Sequence, residues 1–162
     1  MEITITIVAG SHSEVRRKLC KNIKGKVFHV TTDVGWEGIQ AKGAILPSNS
    51  CNEIEKVWTG PAVGYFRSRG CVSLCDFYHN TNMKKIIEAT RKYCFYHPSR
   101  KSKSSYLLIL DHSLYDSLIT WDKWKEEKAY RESIVPNLES GFKGSISLAM
   151  ITGVIEVQLH DY

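Results

Sequence analysis

Cys71, Cys75 and His79 follow one another at intervals of four, a spacing that gathers metal ligands on one face of a helix. The segment Cys71-Val72-Ser73-Leu74-Cys75-Asp76-Phe77 reads as a strand, however. On a strand its cysteines share a face but stand roughly 13 Å apart, too far for one zinc ion. Asp111-His112-Ser113 has the residue types of a hydrolase triad, yet adjacent residues cannot converge on one reacting atom. A turn or capping cluster is expected there. His29 is the single ionisable residue of the apolar run Val27-Phe28-His29-Val30-Thr31-Thr32, and alone it reads as a hydrogen-bonded core histidine. The chain contains no Gly-x-x-x-x-Gly-Lys-Ser/Thr, Gly-x-Gly-x-x-Gly, His-Glu-x-x-His or Gly-x-Ser-x-Gly, which removes the usual signatures of phosphate loops, zincins and α/β-hydrolases.

The elements that must position these residues are short strands mixed with short helices, an α+β pattern without internal repeats. Strands are expected at Ile3 to Val8, Lys26 to Thr31, Cys71 to Phe77, Tyr106 to Asp111, Ser133 to Val135 and Gly153 to Leu159, all rich in β-branched or aromatic residues. Helices are expected at Ser13 to Cys20, Val34 to Lys42, Asn82 to Tyr93 and Ser117 to Tyr130. Asp33 and Gly43 are the candidate caps of the second helix, and Asn80 or Asn82 of the third. Gly60, Pro61, Gly64 and Gly70 bracket Tyr65 and Phe66, which reads either as a pocket wall or as a plain turn with two core aromatics.

At 162 residues, with 43% hydrophobic and 24% charged residues, the chain has the composition of one globular domain spanning 1–162. Disordered, collagenous and disulfide-scaffold classes are excluded. No run of 18 apolar residues exists, so no membrane span is expected. Met1 to Gly10 alternates like a strand and lacks the basic segment of a signal peptide, and the five cysteines are an odd number. A cytoplasmic location with free thiols is expected. The net charge of +5 is uneven: Lys84 to Lys103 holds seven cations against Glu88 alone. That stretch is either a site for a polyanion or a solvated helix face followed by a Ser/Lys loop.

The order of three segments gives His29 a second reading. Val27-Phe28-His29-Val30-Thr31, a short helix with Trp36 and Ile39, and then Gly43-Ala44-Ile45 resemble the first motif of the ADP-ribosyltransferase fold. That fold is seen in DarT-like DNA-modifying toxins, poly(ADP-ribose) polymerases and RNA 2'-phosphotransferases. Gly64-Tyr65-Phe66-Arg67-Ser68-Arg69-Gly70-Cys71-Val72-Ser73-Leu74 resembles the second motif, and Glu139 to Leu148 with Ile151 and Val154 to Val157 resembles the third. Together they cover residues 26 to 159. Two features depart from the family pattern: Ser145-Ile146-Ser147 stands where relatives often show Ile-Pro, and no residue matches the tyrosine of a His-Tyr-Glu set.

The resemblance implies a split antiparallel sheet with short flanking helices, and an enzyme that takes NAD as substrate and moves ADP-ribose to a macromolecular acceptor. It implies Glu139 as the catalytic acid, with Glu132 and Glu156 as competitors. His29 and Thr31 would contact ribose hydroxyls, Tyr65 and Phe66 would wall the nicotinamide, Arg69 would face the pyrophosphate, and Ser73 would bond the second ribose or the amide. Among acceptors, the basic stretch favours DNA or RNA over protein. A toxin, or a phage or defence modifier with a neutralising protein partner, is the implied setting. The alternatives are a 2'-phosphotransferase, which relies on several basic pocket residues, and an interaction domain that keeps the fold without catalysis.

Overall fold

The computed structural model describes residues 2–47, 64–79, 82–93, 95–96 and 104–160. In chain order its elements are β1 (Ile5–Gly10), α1 (His12–Ile23), β2 (Val27–Thr32), α2 (Asp33–Lys42), β3 (Ala44–Ile45), β4 (Cys71–Asp76), α3 (Met83–Tyr93), β5 (Ser105–Leu110), β6 (Ile119–Thr120), α4 (Asp122–Glu126), β7 (Glu139–Lys143), β8 (Ile146–Ser147) and β9 (Ile151–Leu159). Short 3-10 turns lie at Arg67–Arg69, His112–Ser117 and Leu148–Met150. The fold is α+β. A seven-stranded sheet runs in the order β1-β9-β5-β2-β4-β7-β6, and β3 and β8 form a two-stranded sheet. The main sheet is mixed, because β1 joins β9 in parallel while the other neighbours are antiparallel.

Local chemistry sets the helix ends. Ser11 caps α1, which starts one residue before the expected Ser13: its hydroxyl accepts from the Glu14 amide and its own amide donates to the Glu14 carboxylate at 2.8 Å. Thr32, and not Asp33, caps α2 by accepting from the Gly35 amide at 3.2 Å. Gly43 ends that helix at φ 72° and returns its N–H to the Ile39 carbonyl, a left-handed conformation that favours glycine. Asn82 accepts from the Lys84 amide at 3.0 Å at the start of α3, whereas Asn80 lies outside the described residues.

Two expected elements are corrected. Ser117 to Tyr130 is not one helix, because Leu118 is extended at φ −74° and ψ 142° and the β-branched pair Ile119 and Thr120 joins β7 as an edge strand. Only the five-residue α4 remains of it. Ser133 to Val135 makes one isolated bridge, Ser133 to Gly64. Asp111 accepts from the Ser113 amide at 2.9 Å and caps the following 3-10 turn, as the turn reading of Asp111-His112-Ser113 expects.

Strand alternation divides the core between the sheet's two faces. Phe28, Leu107 and Val157 face α1 and α3, which bury Val15, Leu19, Ile23 and Ile86 against them. Val27, Leu74, Leu108 and Val154 face α2, which buries Trp36 and Ile39.

Candidate active site

A break in strand pairing creates the cleft. β2 and β4 pair at only two positions, Val27 with Asp76 and Phe28 with Cys75. Beyond them β2 continues along β5 as far as Thr32 with Ser105, and β4 continues along β7 as far as Cys71 with Lys143. Each strand keeps its outer partner and loses the inner one, so a wedge opens in the middle of the sheet.

His29 spans the wedge just beyond the last β2–β4 pair, with Nδ1 3.0 Å from the Ser73 carbonyl oxygen. A carbonyl only accepts, so Nδ1 carries the proton and the neutral ring presents an unprotonated Nε2. Burial lowers the His29 pKa below the ordinary value, and the nearby Arg67 charge pushes in the same direction against the Ser73 carbonyl. At neutral pH the ring is therefore uncharged and its Nε2 accepts hydrogen bonds.

Glu139 stands at the first position of β7, paired with Cys75. Ser73 donates its hydroxyl to Glu139 Oε1 at 2.7 Å, and the Val135 amide donates to Oε2 at 2.8 Å. Both carboxylate oxygens are thus held from protein side, a strong arrangement because hydrogen bonds to a charged acceptor are short and firm. Ser73 and Glu139 share a sheet face through the β4–β7 register, while His29 reaches them across the break.

These three side chains line one cavity of about 360 Å³ with Arg67 and Cys75, and Tyr93, Phe95, Leu46, Val72 and Leu138 supply apolar wall. The volume and the mixture of apolar wall with few polar groups suit a small-molecule site. Burial, followed by the charges of Glu139 and Asp76, raises the Cys75 thiol, so this cysteine stays protonated and is no nucleophile. The cavity offers one anchored carboxylate, one neutral imidazole acceptor and one guanidinium. That set can stabilise a developing cation, bind hydroxyls and neutralise an anion.

Four residues expected at the site lie elsewhere. Tyr65 and Phe66 are 1% and 0% exposed and pack in a separate cluster with Cys71, so neither lines this cavity and both are core aromatics. The Phe66 ring rests on β7 where a Cβ on Gly141 would come within 2.2 Å. Tyr65 donates its hydroxyl to Glu127 at 2.8 Å, and burial, then that carboxylate, pushes its pKa up to about 12. Arg69 stacks 3.7 Å from the Tyr65 ring centroid and pairs with Glu132 at 2.6 Å and Glu127 at 3.1 Å, so it is committed to structure. Thr31 is 6% exposed and its hydroxyl occupies the space beside Gly35 at the start of α2.

The competing carboxylates are also elsewhere. Glu132 belongs to Arg69, and Glu156 accepts from Ser104 and Gln158 on β9. Among the three, Glu139 alone lines the cavity.

Sequence reasoning weighed Arg67, with Arg69, only as a partial basic set for the 2'-phosphotransferase alternative, and missed Tyr93 and Phe95 as the aromatic wall. The motif around Gly64 to Gly70 holds both arginines, and the 3-10 turn Arg67–Arg69 decides which of them faces the wedge. Tyr93 ends α3 on the face two turns beyond Ile86, a periodic signal that places it toward the sheet.

A second polar cluster lies on the other sheet face. Asp76 is 4% exposed and accepts from the Tyr78 and His79 amides, from Ser140 Oγ at 2.7 Å and from His79 Nδ1 at 2.7 Å. The carboxylate sits between serine and imidazole, so His79 cannot take the Ser140 proton and no hydrolase relay exists there. Among the described residues no group of three His, Cys, Asp or Glu is arranged to hold a metal ion, and no helix is long and apolar enough to cross a membrane. Comparison with protein-family models, with curated proteins and with solved structures gives no match.

Proposed function

We propose that this chain is an NAD-dependent mono-ADP-ribosyltransferase built on an ADP-ribosyltransferase-like split sheet. The observation that carries the reading is the anchored Glu139 carboxylate facing the same cavity as a neutral His29. The residues present fit the substrate. Glu139 suits the ribose whose bond breaks, His29 Nε2 suits a ribose hydroxyl, Arg67 suits the diphosphate, and Tyr93 with Phe95 suits the aromatic ring.

In the reaction the bond between ribose C1' and the nicotinamide nitrogen breaks, its electron pair leaves with nicotinamide, and an acceptor oxygen or nitrogen bonds to C1'. The acceptor loses one proton. Glu139 stabilises the positive charge that develops on the ribose and accepts that proton, the physics of glycoside hydrolysis. Ser73 acts through Glu139 by fixing Oε1, and the Val135 amide fixes Oε2. Arg67 takes the role the resemblance gave to Arg69, and Tyr93 and Phe95 take the role it gave to Tyr65 and Phe66.

Nucleic acid is the favoured acceptor. Lys85 and Lys92 of α3 border a neighbouring hollow with Tyr93 and Leu138, two residues that also line the cavity, so cations stand beside the wedge. Arg100, Lys101 and Lys103 lie outside the described residues. A toxin, or a phage or defence modifier acting in the cytoplasm and restrained by a neutralising protein, fits this chemistry. The 2'-phosphotransferase reading loses ground because Arg67 is the sole cation lining the cavity among the described residues.

The test is incubation with NAD labelled on the adenine side, with cell extract treated by nuclease or by protease, beside Glu139→Gln. Label in a nuclease-sensitive fraction, absent with the variant, supports transfer to nucleic acid. Protease-sensitive label moves the acceptor to protein. Absence of both labelling and NAD binding would leave the interaction-domain reading in front.

A further inference from the structure

The main sheet ends at β1, and this edge has little that discourages pairing. Natural edge strands are blunted by charge, proline, bulges or extreme shortness. β1 is six residues long, Ile3 to Gly10 contains no charged residue and no proline, and its ladder to β9 runs without a break from Ile5 to Gly10. Ile5 and Ile7 are 48% and 60% exposed, and both project from the same face.

The backbone direction on this edge follows from two hydrogen bonds. The Thr4 carbonyl accepts from the Val154 amide and the Gly10 carbonyl from the His160 amide, so even-numbered residues turn their polar groups toward β9. By alternation Ile3, Ile5 and Ile7 turn theirs outward. Ala9 does too, and Lys18 Nζ donates to its carbonyl at 3.0 Å, which closes that end of the edge. Among the described residues nothing pairs with the outer side of Ile3-Thr4-Ile5-Thr6-Ile7, a sequence that reads the same in both directions.

We propose that β1 pairs antiparallel with β1 of a second copy of this chain, about a two-fold axis through Ile5. A palindrome is self-complementary under such an axis: Ile5 faces Ile5, Ile3 faces Ile7, and Thr4 faces Thr6. The outward N–H and C=O groups of Ile3, Ile5 and Ile7 then meet in hydrogen-bonded pairs, and the exposed Ile5 and Ile7 side chains gain cover from the second copy. An uncharged edge offers a charged partner nothing, which favours the second copy. β9 and β5 stand between β1 and the cleft-forming β2, so the association leaves the wedge open on both subunits. A contact of this extent falls in the weak, small-interface class.

The experiment is light scattering with size exclusion on the full chain from about 1 to 500 μM, for the parent and for Ile7→Lys, with circular dichroism to establish that both are folded. The parent is expected to double its mass over this range and Ile7→Lys to remain a monomer with an unchanged spectrum. Hydrogen-bonded antiparallel residues lie about 5.5 Å apart between Cα atoms, within disulfide reach. Ile5→Cys is therefore expected to form a covalent dimer under mild oxidation, and Thr6→Cys, displaced from its own copy, far less. A parent that stays monomeric at every concentration overturns the proposal, as does a dimer that survives Ile7→Lys. Preferential cross-linking of Thr6→Cys overturns the register. None of these outcomes depends on NAD chemistry.

Discussion

Removing the Ser73 hydroxyl tests whether the Glu139 carboxylate is held as the geometry indicates. In Ser73→Ala, Oε1 loses its 2.7 Å donor while Oε2 keeps the Val135 amide at 2.8 Å. A hydrogen bond to a charged group contributes about 1.5–3 kcal/mol net. Water entering the cleft replaces part of it, which places the stability loss near the lower end, about 1–2 kcal/mol by urea denaturation. A double-mutant cycle with Glu139→Ala isolates the pair, because Ser73→Ala has no charged partner to lose in that background. The coupling energy is expected at about 1.5 kcal/mol. If the same bond aims the carboxylate at the reacting ribose, Ser73→Ala lowers the rate of transfer roughly 10- to 100-fold at saturating NAD while changing NAD affinity little. Coupling below about 0.5 kcal/mol, or transfer at the parent rate in Ser73→Ala, would refute the reasoning.

The remaining predictions concern His29, the two arginines of the Arg67–Arg69 turn and the contact between Gly141 and Phe66. Because burial holds the folded His29 pKa below its unfolded value, the unfolded chain binds the proton first as pH falls. Stability is therefore expected to be full above the unfolded value of about 6.5 and to decline below it toward the folded pKa, and His29→Gln should flatten that decline in thermal melts between about pH 5 and 8. Arg67→Ala should weaken NAD binding at least tenfold in calorimetry with little change in unfolding. Arg69→Ala should do the reverse, costing about 1–2 kcal/mol through its carbonyl bond to Tyr65, its stacking and its partly screened ion pairs. Gly141→Ala forces a methyl into the Phe66 ring, and as Phe66 is fully buried the expected cost is about 1–3 kcal/mol in denaturant, with a loss of soluble protein if the ring cannot move.

Much of the strand framework was legible because β2, β4, β5 and β9 are runs of β-branched and apolar residues that no helical period explains. β7 was not legible as a strand. Glu139-Ser140-Gly141-Phe142-Lys143 has poor strand propensity, and pairing with β4 makes it extended. The helix read from Ser117 to Tyr130 failed for the converse reason, since Ile119 and Thr120 gain a place beside β7 that local sequence does not announce. At the site, His29, Ser73 and Glu139 were named from motif order, and the structure brings them together across a break in the sheet. The exchange of Arg69 for Arg67 and of Tyr65 and Phe66 for Tyr93 and Phe95 could not be read, because it depends on a 3-10 turn and on the far end of α3.

The register of β7 against β4 is what ties the cleft to the rest of the fold. Alternation sends Glu139 into the wedge and Ser140 to the opposite face, where it donates to the buried Asp76. Gly141 returns to the first face and accepts the Phe66 ring against its backbone. A slip of one residue would put Ser140 where the carboxylate belongs, strand Glu139 beside Asp76 and drive a side chain into Phe66. Each of those three consequences is unfavourable by a different mechanism: a lost acceptor for the Ser73 hydroxyl and the Val135 amide, two carboxylates brought together, and steric overlap. Ser140 and Gly141, which touch nothing in the cavity, therefore determine where Glu139 points. The aromatic loop that the motif reading assigned to ligand binding serves the site indirectly, by fixing the strand that carries its carboxylate.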